Sequence, residues 1–205
     1  IKGFASQRGQ DYYVDKLLNG KKDGFFVDVG ANHPTEISNT IYLERKGWNG
    51  LSFEPQKHLC KLFEEVRGTK VLPYVLGSEP CETEFGIVES DGWEHALSGV
   101  FDVMRKEGAA FQGKTIRREK RQVHRLVDVL LDEKIEYVDF MSIDVEGYEL
   151  EVLKGMDFSK VHVEILIVEN DRTQLGNVYL REFIKAQGFK YVARLSGDDV
   201  FRHLR

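Results

Sequence analysis

Acidic and amide side chains stand where short apolar runs of this sequence end, which is where an open α/β sheet binds its ligands. The first run ends in the segment 28–33, Asp-Val-Gly-Ala-Asn-His, in which Gly30 allows a tight turn close to a ligand. The second run ends at Glu54, 24 residues after Gly30, near the roughly 20-residue offset at which an acid takes ribose hydroxyls. The pattern predicts a nucleoside site. Because the other glycines of GxGxxG are missing, it disfavours NAD and FAD.

Two later strand-like runs also end in acidic residues. Asp144 is followed by Glu146, and Glu169 is followed by Asn170. The carboxyl ends of parallel strands meet at one edge of a sheet, so we expect these groups to face one cleft. Asp144, Glu169 and Asn170 together suit Mg²⁺ or Ca²⁺, and such an ion would lower the pKa of a hydroxyl bound to it. In the alternative without a metal, Asp144 or Glu146 serves as a base or binds an amine of the ligand.

Two histidines are further candidate bases, because imidazole titrates nearest to neutral pH. His33 directly follows the glycine turn, and His95 lies in a segment without regular periodicity. Trp93, in the same segment, either stacks on the face of an acceptor ring or anchors the segment. Tyr148 is predicted to begin a helix at the rim of the cleft and is a candidate substrate contact.

An alternation of strands and helices must position these residues. Apolar runs predict strands over Phe25–Gly30, Leu51–Pro55, Val71–Gly77, Val138–Asp144 and Ile165–Glu169. Helices are predicted over Asn39–Gly47, Lys57–Arg67, Val127–Lys134, Leu150–Gly155 and Tyr179–Gln187. The chain closes with strands Phe189–Leu195 and Asp199–Leu204, joined by a turn signal at Ser196–Asp198. This order predicts a parallel sheet covered on both faces, with an antiparallel hairpin at its edge.

The periodicity breaks between Gly86 and Gln122, so we expect an insertion over the carboxyl edge of the sheet that forms part of the acceptor site. The predicted organisation is one domain over residues 1–205. A basic run in the insertion is expected to be a solvated strand face. It comprises Lys114, Arg117, Arg118, Lys120 and Arg121.

Composition excludes several classes of function. The 205 residues carry 29 Lys and Arg against 34 Asp and Glu, a net charge of −5, which argues against a nucleic-acid partner. Apolar runs such as Ile165–Val168 are far shorter than the roughly 20 residues of a membrane span. Cys60 and Cys81 lack metal-ligand spacing, which predicts reduced thiols in a cytoplasmic protein. Because the chain begins at Ile1, we expect an excised domain.

Several segments carry a resemblance in their order along the chain. They are Ser6–Asp11, Phe26–Asn32, Ser38–Thr40, Gly47–Gly50, Phe53–Pro55, Ile143–Glu149 and Val152–Gly155. Together they resemble the FkbM family of S-adenosylmethionine-dependent methyltransferases. The resemblance implies a class I methyltransferase fold, which is a Rossmann-like three-layer α/β sandwich. Its seven-stranded, mostly parallel sheet has an antiparallel last strand, and the implied reaction is methyl transfer to oxygen.

The resemblance also implies S-adenosylmethionine as the cofactor and a set of residues that bind it. Glu54 corresponds to the acid on the ribose. The other expected contacts are Ser6, Gln7 and Gln10 in an N-terminal motif, Asp28, Gly30, Ala31 and Asn32 at the methionine end, Asn39 on the first helix, Pro55, and Leu76 and Gly77 at the adenine.

The favoured function is O-methylation of a sugar or glycan hydroxyl, with a deoxyhexose such as rhamnose as the first acceptor to test. Fusion to or association with a glycosyltransferase domain would fit that role. The alternatives are an O-methyltransferase of a macrolide or other small natural product, and a nucleotide-binding scaffold that has lost its chemistry.

Overall fold

The structure is a computed structural model that describes residues 3–90, 96–106, 108–171 and 176–204. Its strands are β1 (Phe25–Val29), β2 (Asn49–Phe53), β3 (Lys70–Leu72), β4 (Val75–Leu76), β5 (Cys81–Val88), β6 (Gly99–Val100), β7 (Ile116–His124), β8 (Tyr137–Ile143), β9 (His162–Glu169), β10 (Phe189–Leu195) and β11 (Asp198–His203). Its α-helices are α1 (Gln10–Leu17), α2 (Ile41–Arg45), α3 (Lys57–Val66), α4 (Phe101–Lys106), α5 (Leu126–Asp132), α6 (Glu149–Lys154) and α7 (Val178–Ala186). Each predicted helix is present, with bounds shifted by at most two residues.

Seven strands form the main sheet, in the order β10-β11-β9-β8-β1-β2-β3. Strands β9, β8, β1, β2 and β3 are parallel, and β11 runs antiparallel to both β9 and β10. The predicted mostly parallel sheet with an antiparallel last strand is confirmed, although β10 and not β11 is the outer strand. The strand order reverses between β1 and β8, which places the expected ligand cleft at the carboxyl ends of these two strands.

Helices cover both faces of this sheet. Alternate residues of β1 point to opposite faces, because side chains in a strand have a period of two. Val27 packs in a cluster with Leu130 of α5 and Ile184 of α7, whereas Phe26 packs in a second cluster with Val14 of α1. The result is the three-layer sandwich that the resemblance implied.

The predicted strand Val71–Gly77 is wrong as a single element. It divides into β3, which pairs with β2 in the main sheet, and β4, which pairs with β7 in a second sheet. Pro73 lies between them and has no backbone N–H to continue a ladder. The chain therefore leaves the main sheet at this proline.

The second sheet has the order β4-β7-β5-β6 and contains most of the predicted insertion. Its β5 and β7 pair from Cys81 with Val123 to Val88 with Ile116, so the sheet extends beyond the predicted bounds of 86 and 122. Most of the basic run lies on β7, where its exposed members pair with acids: Lys120 Nζ, for example, is 2.7 Å from Glu82. Arg121 differs, because its side chain is only 12% exposed. Among the described residues, no helix is both long and apolar enough to cross a bilayer.

Buried Arg67, which follows α3, fastens the loop between β1 and α2. Its guanidinium donates to the Pro34 carbonyl at 2.8 Å and to Thr40 Oγ1 at 3.2 Å, and it pairs with Glu44. Thr40 Oγ1 in turn donates to Asp28 Oδ2 at 2.8 Å. Burial raises the pKa of Asp28, and the Thr40 hydrogen bond and the charge of Arg67 oppose that rise.

We expect Arg67→Leu to lower the free energy of unfolding by about 3 kcal/mol or more, because it leaves the carboxylates of Glu44 and Asp28 uncompensated. Urea unfolding followed by circular dichroism measures the loss. Arg45→Leu, at an exposed arginine of α2, is the matched control and should change stability by no more than about 0.5 kcal/mol. Equal stability of the two variants would contradict the role given to Arg67.

Candidate active site

A cleft with two chambers lies between the carboxyl ends of the main-sheet strands and the second sheet. The inner chamber has a volume of about 550 Å³ and the outer chamber about 1250 Å³. Five residues line both chambers, so the two are continuous. They are Gly30, Asn32, Ala96, Asp144 and Glu146.

The turn at Gly30 brings the ends of three strands together. Its φ is +81°, and a Cβ at this position would lie 1.8 Å from the Asp144 carbonyl oxygen, so only glycine fits. The N–H groups of Gly30 and Ala31 both donate to the Phe53 carbonyl, at 3.0 and 3.1 Å. The Asp144 N–H donates to the Val29 carbonyl at 2.9 Å. The ends of β1, β2 and β8 are thereby held in contact.

Glu54 is buried at the end of β2 and faces the inner chamber. Its Oε2 accepts from the Asn32 N–H at 2.9 Å and its Oε1 from the Gln56 N–H at 2.7 Å. Burial raises the pKa of Glu54 to about 7, and the two backbone N–H groups oppose that rise. A carboxylate offers about four lone-pair positions, so Glu54 retains acceptor capacity toward a ligand.

Asn32 carries an unsatisfied polar atom into the same cleft. Its φ of +49° is unusual for a residue with a side chain. Its Oδ1 is buried and accepts no hydrogen bond from any of the described residues. A buried acceptor without a donor carries a cost, which a ligand N–H or O–H at this point would remove.

The two chambers differ in polarity. The inner chamber is largely apolar, and its wall opposite the strand ends includes Tyr74, Val75, Leu76, Phe85, Val100 and Tyr148. The outer chamber is acidic and includes Asp28, Glu36, Asp144, Glu146, Glu169 and Asp171, with Arg8 as a basic residue of its lining. The acidic chamber favours a cationic ligand group.

Three carboxylates lie together at the edge of the outer chamber, and two of them, Asp144 and Glu169, line it. One carboxylate oxygen each of Asp144, Glu149 and Glu169 lies within 4.8 Å of the others. Burial and the nearby charges of Glu146 and Glu149 raise the pKa of Asp144 well above its usual range. A side-chain hydrogen bond between Asp144 and Glu169 opposes that rise.

The comparisons with known proteins agree with this geometry. The family model of the methyltransferase FkbM domain matches residues 28–191. The chain belongs to the FkbM methyltransferase family. A crystal structure of an FkbM methyltransferase from Methylobacillus flagellatus KT matches with a TM-score of 0.59 at 13% identity, over 97% of this chain. This chain spans 48% of that protein.

Other methyltransferases give weaker matches. An O-methyltransferase from Bacillus cereus, solved with S-adenosylhomocysteine, matches with a TM-score of 0.44 at 12% identity, over 98% of this chain and 81% of that one. A Pyrococcus horikoshii protein provisionally described as an RNA methyltransferase gives 0.46 at 10% identity, over 97% and 84%. No sequence among curated proteins matches at a significant level.

The fold of this chain places most of the predicted cofactor residues around the cleft. Gln7, Asp28, Ala31 and Asn39 line the outer chamber, and Pro55 and Leu76 line the inner one. Gly77 does not line either chamber. A Cβ there would lie 2.8 Å from Val123 and 3.2 Å from the Tyr148 ring, so Gly77 makes room for packing.

The N-terminal motif contributes differently from the prediction. Ser6 hydrogen-bonds Asp11, and buried Gln10 donates to Asp198 Oδ2, so neither lines the described cleft. Gln10 Oε1 accepts from the Arg8 N–H at 2.9 Å. Arg8, which sequence reasoning missed although it stands inside the motif, reaches Asp198 at 3.1 Å and lines the outer chamber.

The predicted metal ligand Asn170 is engaged outside the cleft. Its Oδ1 accepts from the Asn177 N–H at 2.6 Å and its Nδ2 donates to Asp199. Glu149, held by the N–H groups of Val145 and Gly147, joins Asp144 and Glu169 instead.

His33 lines the outer chamber, but it is poorly arranged as a base. Its Nδ1 accepts from the N–H groups of Thr35 and Glu36, at 3.3 and 3.0 Å. The neutral ring then carries its proton on Nε2 and has no lone pair to offer there. Tyr148 lines the inner chamber rather than the acceptor side. The predicted substrate contacts Trp93 and His95 lie outside the described residues.

The raised pKa of Glu54 predicts that its ionisation lowers the free energy of unfolding in a pH-dependent way. The substitution Glu54→Gln should remove this loss. Its folded-state pKa of about 7 lies above the ordinary glutamate value of 4.5. The unfolded chain therefore releases this proton first, and wild-type stability falls as pH rises from about 4.5 to 7. Relative to wild type, Glu54→Gln should gain about 3 kcal/mol across that window.

Urea unfolding at several pH values between 4.5 and 8 measures this gain. Glu65→Gln, an exposed position on α3, corrects for the change in net charge. A stability difference between wild type and Glu54→Gln that does not vary with pH would show that Glu54 is ionised normally.

Proposed function

We propose that this chain transfers a methyl group from S-adenosylmethionine to a hydroxyl of a sugar or glycan. The observation that carries the proposal is the pairing of a buried acid at the end of β2 with an acid of raised pKa at the end of β8, in one cleft of a chain of the FkbM methyltransferase family. Glu54 is suited to bind the cofactor, and Asp144 is suited to accept a proton.

The described residues fit S-adenosylmethionine at both ends. The apolar inner chamber suits adenine, and Glu54 at its edge suits the ribose hydroxyls. The acidic outer chamber suits the ammonium and sulfonium groups. Asn32 Oδ1, which lacks a donor among the described residues, would accept a hydrogen bond from the bound cofactor.

The chain's own contribution to the reaction is positioning and proton transfer. Bound in this cleft, S-adenosylmethionine supplies a methyl group on a cationic sulfur that keeps the bonding electron pair when it leaves. In its ionised form, Asp144 takes the proton of the attacking hydroxyl as the oxygen bonds to the methyl carbon, and then passes this proton to solvent. Its raised pKa makes it a stronger base than an exposed carboxylate. Glu146, which lines both chambers, orients the acceptor.

A polyhydroxyl acceptor is favoured by the polarity of the outer chamber. Carboxylates from β1, β8 and β9 surround its floor and can each accept from an acceptor hydroxyl. A large apolar product would leave those carboxylates desolvated and unpaired, which is costly. The contribution of a neighbouring glycosyltransferase remains a prediction.

The proposal is tested by separating cofactor binding from turnover. We expect S-adenosylhomocysteine to bind the wild type and Asp144→Asn with similar affinity in calorimetry, because Asn retains the shape of the side chain. Methyl transfer from radiolabelled S-adenosylmethionine to a panel of sugars should fall about 100-fold or more in this variant, since a general base contributes that much. Asp132→Asn, at an exposed aspartate at the end of α5, is the control.

Failure of the wild type to bind S-adenosylhomocysteine would overturn the proposed function. Full activity of Asp144→Asn would leave the function standing and remove Asp144 as the base.

We further propose that the transfer needs no divalent cation. The predicted amide ligand Asn170 is engaged elsewhere, Glu149 already accepts two backbone N–H groups, and Asp144 hydrogen-bonds Glu169. EDTA should leave the methylation rate unchanged within about twofold. Inhibition by EDTA that Mg²⁺ reverses would instead establish the three carboxylates as a metal site.

A further inference from the structure

A groove runs beside the active-site cleft, between α3 and the β5–β7 hairpin. It consists of two adjoining cavities of about 620 and 570 Å³ that share His58, Ile87 and Arg117. His33 lines both this groove and the outer chamber, and Gln56 lines both the groove and the inner chamber. A molecule lying in the groove would therefore reach the cleft at its rim.

The groove is cationic, in contrast to the cleft. Four basic side chains from two elements face it, against two acidic ones. They are Lys57 and Lys61 of α3 and Arg117 and Arg121 of β7, with Glu89 and Glu119 as the acids. Lys57 and Lys61 are exposed and have no ion-pair partner in the part of the chain that the structure describes.

The two arginines share one carboxylate. Arg117 and Arg121 both pair with Glu119, and Arg117 also lies 3.3 Å from Glu89. Arg121 is mostly buried, and its Nε has no acceptor among the described residues. Burial and the charge of Arg117 lower the pKa of Arg121. The positive charge in the groove is therefore incompletely compensated. The buried Nε–H of Arg121 lacks a hydrogen-bond acceptor among the described residues.

The first turn of α3 adds to this imbalance. Helix N-termini are stabilised by negative charge, but the first turn of α3 carries Lys57 and His58 and no acid. The cost of cations at that end of the helix would be removed by an anion bound between α3 and β7.

We propose that this cationic groove binds the phosphoryl group of the methyl acceptor, so that the acceptor is a phosphorylated sugar. This rests on the proposed function and specifies its substrate class. A phosphoryl group would be repelled from the acidic outer chamber, whereas the groove offers lysine and arginine donors next to it. The phosphoryl group lies in the groove while a sugar hydroxyl passes His33 toward Asp144.

The first test uses inorganic pyrophosphate and phosphate as probes, in calorimetry on the whole chain at low salt with and without S-adenosylhomocysteine. The double variant Lys57→Gln/Lys61→Gln should bind pyrophosphate about tenfold more weakly or worse, since each hydrogen bond to a charged group contributes at least about a factor of ten. The control is Lys22→Gln/Lys190→Gln, which removes two exposed lysines that line neither cleft nor groove. Wild-type affinity in the control, together with the loss in the groove variant, supports the proposal.

Equal pyrophosphate affinity in the two double variants would overturn the proposal. A wild-type dissociation constant above about 10 mM would also overturn it, because that value corresponds to a negligible interaction. These outcomes are independent of the proposed function, because S-adenosylhomocysteine binding is measured in the same titrations.

The second test compares a free hexose, its 1-phosphate and its nucleoside-diphosphate derivative as acceptors. We expect kcat/KM to be at least about tenfold higher for a phosphorylated form, and the groove variant to lose that advantage while its rate on the free hexose stays unchanged. The two phosphorylated forms distinguish a sugar phosphate from a nucleotide sugar. Equal kcat/KM for free and phosphorylated sugars would overturn the proposal.

Discussion

The close approach of β1 to β8 at Gly30 is the constraint on which the cleft depends. A side chain at Gly30 would overlap the carbonyl of Asp144, so the two strand ends can meet only because this position has no Cβ. Their contact places the turn after β1, the acid at the end of β2 and the acid at the end of β8 around one space. Buried Arg67 then fixes the following loop through Thr40 and Pro34.

Electrostatics divides the region around this contact into three compartments. The inner chamber is mostly apolar on the side of the second sheet, and burial raises the pKa of Glu54 there. The outer chamber concentrates carboxylates, and burial together with these neighbouring charges raises the pKa of Asp144. The groove beyond His33 concentrates cations. A ligand with an apolar ring, a cationic centre and an anionic end would match these compartments in order.

The sequence predicted the main sheet well, because buried parallel strands such as Phe25–Val29 read as continuous apolar runs between glycine-containing turns. It also located Glu54 and Asp144, since both follow such runs directly. The second sheet was predicted poorly: β5 begins with Cys81–Glu84, which is exposed or nearly so, and β7 is mostly charged, so neither shows an apolar period. The role of Asn170 depended on side-chain direction, which spacing does not specify, and its amide faces α7 rather than the cleft.

Pro73 separates the two sheets, so the second sheet can change in length without changing the main sheet. Because the chain leaves the main sheet there, the wall of the cleft formed by β4 to β7 shares no strand ladder with the strands that hold Glu54 and Asp144. Lengthening or shortening the β5–β7 hairpin would alter the height and charge of that wall without shifting the register of the main sheet. The protein thereby separates the strands that carry Glu54 and Asp144 from the hairpin that forms the opposite wall of the inner chamber and one side of the cationic groove. Changes in that wall and that groove can accumulate in one hairpin without moving either carboxylate.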